Sequence, residues 1–208
     1  MLKNMRYKAA LFDLDGVIVD TESIYTDFWD DIDRRYPTGV DDFARVIKGN
    51  TLARILETYF DEDIRDEILV LLKEQEESMR YTLFDGVSDF LDRLIDKNIP
   101  KAIVTSSNDR KMSRLFSQIP ELRPKFEAVI TDALVERSKP DPQGYLIAAE
   151  KLGVDPTDCV VFEDSFAGLE AGRRAGAYVV ALATTNPRES LYEKAYEVID
   201  SFIGYDIL

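Results

Sequence analysis

Short apolar runs alternate along most of the chain with longer stretches of helical period. The runs are Ala9 to Phe12, Ile99 to Val104 with Pro100 and Lys101 inside it, Ala128 to Ile130, Cys159 to Phe162, and Tyr178 to Leu182. Continuous apolarity over so few residues predicts strands buried on both faces. Between them, Phe90, Leu91, Leu94 and Ile95, and again Tyr145, Leu146, Ala149 and Leu152, recur at the spacing of one helix face. Strand and helix in turn predict a parallel sheet with helices on both sides, an α/β fold with a Rossmann-like three-layer core.

The alternation breaks once. From about Asp20 to Tyr81 no strand-like run occurs, while Ile24, Phe28 and Ile32, then Ile55, Leu56 and Tyr59, then Ile64, Ile68, Leu71 and Leu72 mark amphipathic helices. Pro37 with Gly39, and Gly49 with Asn50, punctuate them. The pattern predicts an all-helical unit, residues 20–82, inserted into a core made of residues 1–19 and 83–208. Tyr25, Phe28, Trp29 and Tyr36 fall largely on its buried side, and Asp30, Asp31, Asp33, Glu74, Glu76 and Glu77 on solvated faces.

Composition narrows the chemistry. The 208 residues include no histidine, which excludes imidazole bases, histidine metal ligands and Ser-His pairs. One cysteine, Cys159, allows neither an internal disulfide nor a thiolate cage and points to a reducing cytoplasm. The apolar run near the start is too short for a signal peptide or a membrane span. A net charge of −14 argues against general nucleic-acid binding. The expectation is a cytoplasmic monomer with neither a nucleic-acid nor a membrane partner.

Polar residues gather where the apolar runs end. The first run closes in Asp13-Leu14-Asp15-Gly16, the second in Thr105-Ser106-Ser107-Asn108, and the fourth in Glu163-Asp164-Ser165. In open parallel sheets, ligands bind outside the carboxyl ends of the strands, so these clusters converge on one crevice. Asp13 and Asp15, two apart, point to one side of an extended segment. With Glu163 and Asp164 they crowd up to four carboxylates together, which is costly unless a cation or protons neutralise them. Only hard oxygen ligands are on offer, so the expected cation is Mg²⁺, and phosphate is the natural substrate group. Thr105 offers a hydroxyl, and the segment from Ser106 to Asp109 reads as a helix N-terminus suited to an anion. Lys139, within Ser138-Lys139-Pro140-Asp141-Pro142, sets a positive charge on a loop that the prolines hold extended. Alone, each element is more often a turn, a helix cap or a surface charge than a catalytic group. Their order at successive strand ends is the signal.

Taken together, these residues resemble the haloacid dehalogenase-like (HAD) hydrolase superfamily, in its β-phosphoglucomutase-like branch. Phe12 to Glu22 is similar to its first motif, Val104-Thr105-Ser106 to its second, Ser138 to Pro142 to its third, and Phe162 to Ser165 with Gly168 to its fourth. The resemblance implies a Mg²⁺-dependent phosphatase of a small phosphorylated metabolite, a sugar phosphate or similar, with residues 20–82 as a cap. It makes Asp13 the nucleophile that forms an aspartyl-phosphate and Asp15 the acid and base. Asp13, Asp15 through its carbonyl, Asp164 and Glu163 would hold Mg²⁺. Thr105 and Lys139 would hold the phosphoryl group; Ser106, Ser107 and Asn108 are read either as touching substrate and its phosphate or as capping a helix. Tyr25 stands where the branch's mutases carry a histidine. In Ile47-Lys48-Gly49-Asn50-Thr51-Leu52, Leu52 stands where they carry an arginine for a second phosphate. A phosphomutase is therefore the alternative, and a non-catalytic receiver-like phosphate-binding module the more distant one.

Overall fold

The computed structural model describes residues 7–48 and 50–207, so Gly49 of the cap loop lies outside the described residues. Strand β1 (Ala9–Phe12) is followed by four helices: α1 (Glu22–Arg35), α2 (Phe43–Val46), α3 (Leu52–Tyr59) and α4 (Glu62–Ser78). The alternation then resumes with α5 (Val87–Asp96), β2 (Lys101–Val104), α6 (Asp109–Gln118), β3 (Ala128–Ile130), α7 (Gln143–Leu152), β4 (Cys159–Glu163), α8 (Phe166–Arg174), β5 (Tyr178–Leu182) and β6 (Glu197–Ile199). All six strands pair in parallel, in the order β3-β2-β1-β4-β5-β6. β1 lies between β2 and β4, where the strand order reverses, and this places the binding crevice at its carboxyl end.

Successive side chains of β1 enter opposite layers, as the pleat requires. Ala10 and Phe12 join a cluster with Phe90 and Leu94 of α5 and Leu115 of α6. Phe12 stacks on Phe162 at 4.8 Å, and Phe90 on Phe202 at 4.8 Å. On the other face, Ala9 and Leu11 pack with Tyr145, Ala148 and Ala149 of α7 and Leu169 of α8. Helices therefore cover both faces of a Rossmann-like sheet.

The helical cap has a core of its own. Phe28, Trp29 and Ile32 of α1 meet Phe43 of α2, Ile55 and Leu56 of α3, and Ile68 and Leu72 of α4. Two short segments tie it to the sheet unit: Asp20 N–H donates to the Thr82 carbonyl at 2.9 Å, and Phe84 N–H to that of Ile18 at 3.1 Å.

Four details depart from the pattern. β6 has only three residues, too few for a periodic signal, and its Glu197 is exposed. Ile95 and Leu146 face solvent, because Phe90, Leu91 and Leu94, and Tyr145, Ala148 and Ala149, already fill the narrow stripes that meet the sheet. Residues 138–142 form a turn rather than an extended loop, closed by the Asp141 N–H on the Ser138 carbonyl at 3.0 Å. Glu76, expected on a solvated face, is buried where α4 meets α6, with Arg110 as its ion-pair partner.

Candidate active site

The crevice forms where β1 stops. Asp13 N–H donates to the Phe162 carbonyl at 3.0 Å, which carries the strand pairing one residue past β1. Gly16 then turns the chain at φ +79°, with Asp164 so close that a Cβ would stand 2.0 Å from its Oδ2. Only glycine satisfies both demands. At the end of β2, the Thr105 Oγ1 accepts the Ser107 N–H at 3.0 Å, and Asn108 caps α6 by accepting the Lys111 N–H at 2.9 Å. At the end of β4, Ser165 caps α8 by accepting the Gly168 N–H at 3.1 Å.

Asp13, Asp15, Thr105, Ser106, Ser107, Asn108 and Asp164 thus line one cleft of about 150 Å³. Tyr25, Trp29, Lys48, Leu52 and Glu76 close it from the cap side. Lys139 and Glu163 do not line this cleft; they lie behind it and act through Asp13 and the end of β4.

Lys139, on the turn before α7, is buried and spends its ammonium on three acceptors: Asp13 Oδ1 at 2.5 Å, Glu163 Oε1 at 2.6 Å and the Val104 carbonyl at 3.1 Å. Glu163 is saturated. Its Oε1 also accepts the Tyr145 hydroxyl at 3.0 Å, and its Oε2 accepts Asp164 N–H, Ser165 N–H and Ser165 Oγ, each at 3.0 Å. Gly168 leaves room for it, since a Cβ there would fall 1.6 Å from Glu163 Oε1. Burial pushes the Asp13 carboxyl up to about 8, with Lys139 opposing and Glu163 adding to the rise. Burial alone would lower Lys139, but Asp13 and Glu163 outweigh it and hold the ammonium above its ordinary range.

Ligand atoms of Asp13, Glu163 and Asp164 all lie within 4.8 Å of one another. Three buried carboxyl groups lie together and one ammonium, Lys139, bonds two of them; their oxygens are hard donors, so the residues present fit a divalent cation. The Thr185 hydroxyl, buried and without a hydrogen-bond partner, also packs against Gly16 beside Asp164. Such a cation would draw Asp13 back to its ionised form. With both oxygens of Glu163 already occupied, Asp13 and Asp164 are the side chains best placed to touch it.

Asp15 is held differently. Its Oδ1 accepts from the Thr21 hydroxyl and from Lys111 Nζ at 2.6 Å; its Oδ2 accepts from Ser107 Oγ at 3.0 Å and the same Nζ at 2.7 Å. Burial would raise this carboxyl, but Lys111, with the two hydroxyls, brings it below the ordinary carboxylate range. Lys111 stands 4.2 Å over the ring of Tyr25, whose hydroxyl donates to Glu76 Oε1 at 3.4 Å; Arg110 Nη2 donates to Glu76 Oε2 at 3.1 Å. On the far side, cap residue Arg45 donates to Asn186 Oδ1 at 3.3 Å, and Asn186 Nδ2 to the Asp164 carbonyl at 2.8 Å.

The sequence pattern assigns no function to Lys111, Asn186, Arg45 or Arg110, marks Tyr145 only as a helix-face residue, and gives Tyr25 two places, the buried side of the cap and, by resemblance, the position of the mutases' histidine. A signal for Lys111 exists: it precedes Met112 and Leu115 on the buried stripe of α6, where a lysine needs a partner. Cys159 is buried and free, as expected of a small core residue, and burial pushes its thiol up to about 11. No helix among the described residues is long and apolar enough to cross a membrane.

Known proteins resemble this chain in sequence and in fold. The haloacid dehalogenase-like hydrolase family matches residues 7–176. Hexitol phosphatase A of Escherichia coli (strain K12) is 34% identical over 183 residues, 86% of this chain and 84% of that one. The β-phosphoglucomutase of Bacillus subtilis (strain 168) is 31% identical over 197 residues, 86% and 85% of the two chains. In fold, the chain is similar to the β-phosphoglucomutase of Clostridium difficile, with a TM-score of 0.79 at 24% identity over 96% of this chain and 93% of that one.

Proposed function

This chain belongs to the haloacid dehalogenase-like hydrolase family and is an enzyme of its phosphatase and phosphomutase kind; from that premise we propose that it is a Mg²⁺-dependent phosphatase of a small phosphorylated polyol or sugar. The observation that carries the reading is the pairing of two differently held carboxylates in one cleft. Asp13 is buried against Lys139, and Asp15 stands two residues on with its own set of donors. Unlike environments for neighbouring carboxylates fit a division between nucleophile and proton carrier.

In this reading residues 1–19 and 83–208 form the catalytic unit and residues 20–82 the cap. Asp13 attacks phosphorus through a carboxylate oxygen, and the phosphorus to ester-oxygen bond breaks, leaving an aspartyl-phosphate. Asp15, after taking up a proton in the substrate complex, delivers it to the departing alkoxide, and the carboxylate so restored takes one from the water that hydrolyses the aspartyl-phosphate. Thr105, Ser106 and the free N–H groups at the start of α6 surround the phosphoryl oxygens, and Lys139 offsets charge from behind Asp13. Asp13, Asp164 and the Asp15 carbonyl would hold Mg²⁺, with Glu163 orienting the end of β4. When bound, Mg²⁺ supplies charge neutralisation that lets an anionic nucleophile approach an anionic ester. The single buried thiol supports a cytoplasmic location.

A phosphomutase is the second reading, favoured by the similarity to the Bacillus subtilis enzyme. Against it, the cleft is lined by Leu52 and Tyr25 where the mutases of this branch carry arginine and histidine. Incubating the protein with Mg²⁺ and a panel of hexose and hexitol phosphates, and scoring free phosphate and isomer together, separates the two. Phosphate release that disappears in Asp13→Asn is the expected outcome. Isomer without phosphate favours the mutase, and full release by Asp13→Asn removes the proposed nucleophile.

A further inference from the structure

A buried lysine that makes two bonds to one carboxylate is a costly feature, because its ammonium leaves water for a single partner group. Lys111 is such a residue: it is 3% exposed, and its Nζ reaches both oxygens of Asp15, at 2.6 and 2.7 Å. The first turn of α6 sets its position, and the Asn108 cap fixes that turn. Its remaining side lies against the ring face of Tyr25, 4.2 Å away, and Tyr25 belongs to the cap.

We propose that Lys111 is a positioning residue for Asp15, one that ties the orientation of this carboxylate to the placement of the cap through the face of Tyr25. The inference rests on the phosphatase reading above, in which Asp15 moves the protons. Geometry carries it. Each Asp15 oxygen accepts one hydroxyl and one N–H of the same ammonium, so the plane of the carboxylate is determined. Without Lys111, only the Thr21 and Ser107 hydroxyls remain, and both rotate. The carboxylate is then free to turn about its last torsion, and a displacement of about 1 Å is enough to cost about 10²-fold in rate.

Lys111 makes no bond to Asp13 or Glu163, which Lys139 already serves. Its effect should therefore separate the two chemical steps. Departure of an aryl oxide needs little proton donation, whereas water attack on the aspartyl-phosphate needs an oriented base whatever the leaving group was.

The test is rapid-mixing kinetics with a nitrophenyl phosphate and Mg²⁺ on the whole chain. In Lys111→Met, first-turnover release of nitrophenolate should stay within about twofold of the parent, while steady-state turnover falls about 10²-fold, within the range of proton-transfer catalysis. Lys111→Arg, which can grip a carboxylate with two parallel bonds, should restore most of the steady-state rate. Tyr25→Phe, which keeps the ring, should leave the ratio of the two rates as it is in the parent, and Tyr25→Leu should shift that ratio in the direction of Lys111→Met. First-turnover and steady-state rates that fall together, or that both hold, overturn the positioning role. A Tyr25→Leu enzyme that matches the parent overturns the link to the cap. Undiminished turnover by Asp13→Asn overturns the phosphatase reading and this inference with it, a signature the Lys111 variants do not produce.

Discussion

Two lysines serve two aspartates in this cleft, and they are built in different ways. Lys139, Asp13, Glu163 and Tyr145 all belong to the sheet unit, and every bond among them is buried. Lys111, Asp15, Tyr25, Glu76 and Arg110 straddle the boundary, with Tyr25 and Glu76 contributed by the cap. The first group keeps its geometry wherever the cap sits. The second is complete only while α1 and α4 rest against α6. On the proposed reading, the geometry of attack would stay fixed, while proton transfer would be assembled as the cap seats on the sheet unit.

The sharpest way to break the contrast is to remove the ammonium of the inner group. Lys139→Met leaves Asp13 and Glu163 buried against each other, and uncompensated buried charge of this kind costs about 3–5 kcal/mol. Turnover should fall by about 10²–10³-fold or more, as when a donor to the reacting group is lost. Equilibrium denaturation at neutral pH, with activity on the same preparation, measures both. Lys111→Met should be the milder change in stability, because Asp15 keeps two hydroxyl donors and borders the cleft. Equal losses from the two substitutions would show that the groups are not distinct.

A second difference is electrostatic and has opposite signs at the two aspartates. Asp13, raised from 3.8 to about 8, holds its proton in the folded protein at pH values where the unfolded chain has released it. Its contribution to stability is complete below about 3.8 and is lost as pH rises through about 8. Asp15 is lowered, so its contribution is present above 3.8 and is lost as pH falls through its folded value. Denaturation midpoints from pH 5 to 8 in a chelator should therefore decline more steeply for the parent than for Asp13→Asn. Added Mg²⁺ should flatten the parent's decline, since a cation bound by the ionised form stabilises the fold where Asp13 otherwise weakens it. Identical slopes for parent and Asp13→Asn would contradict the burial assigned to that carboxyl.

The same division explains what could be read from the chain. β1, β3 and β5 fall on the residues their apolar runs predicted, because a strand buried on both faces admits no polar interruption over that length. Asp13, Asp15, Thr105 and Asp164 were legible because sheet topology brings strand ends together whatever the side chains do. Tyr145 was legible only as a core residue, since periodicity says nothing of a hydroxyl aimed at Glu163. Glu76 sits in the run Glu74-Gln75-Glu76-Glu77, where every position is polar and only the rotation of α4 against α6 selects the buried one. Lys111 was hidden for the converse reason: it occupies an apolar stripe as a polar residue, and its partner lies 96 positions away.

The smallest effect is expected at the rim of the outer group. Arg110 is partly exposed, 45% at the side chain, while its partner Glu76 is 4% exposed, so solvent screens one end of the pair. An ion pair of this kind contributes about 1 kcal/mol or less, and added salt weakens it. Arg110→Ala should therefore reduce stability only slightly, yet it removes the donor that holds Glu76 Oε2 and leaves that residue to the Tyr25 hydroxyl at 3.4 Å. Since Glu76 lines the cleft from the cap side, the change should appear as a rise in KM of a few fold with kcat nearly unchanged, and raising salt on the parent should move KM in the same direction. First-turnover release from a nitrophenyl phosphate should be untouched, because Asp13 and Lys139 make no contact with this pair. A fall in that rate would mean that the inner group feels the cap after all, and the two lysines would then belong to one network.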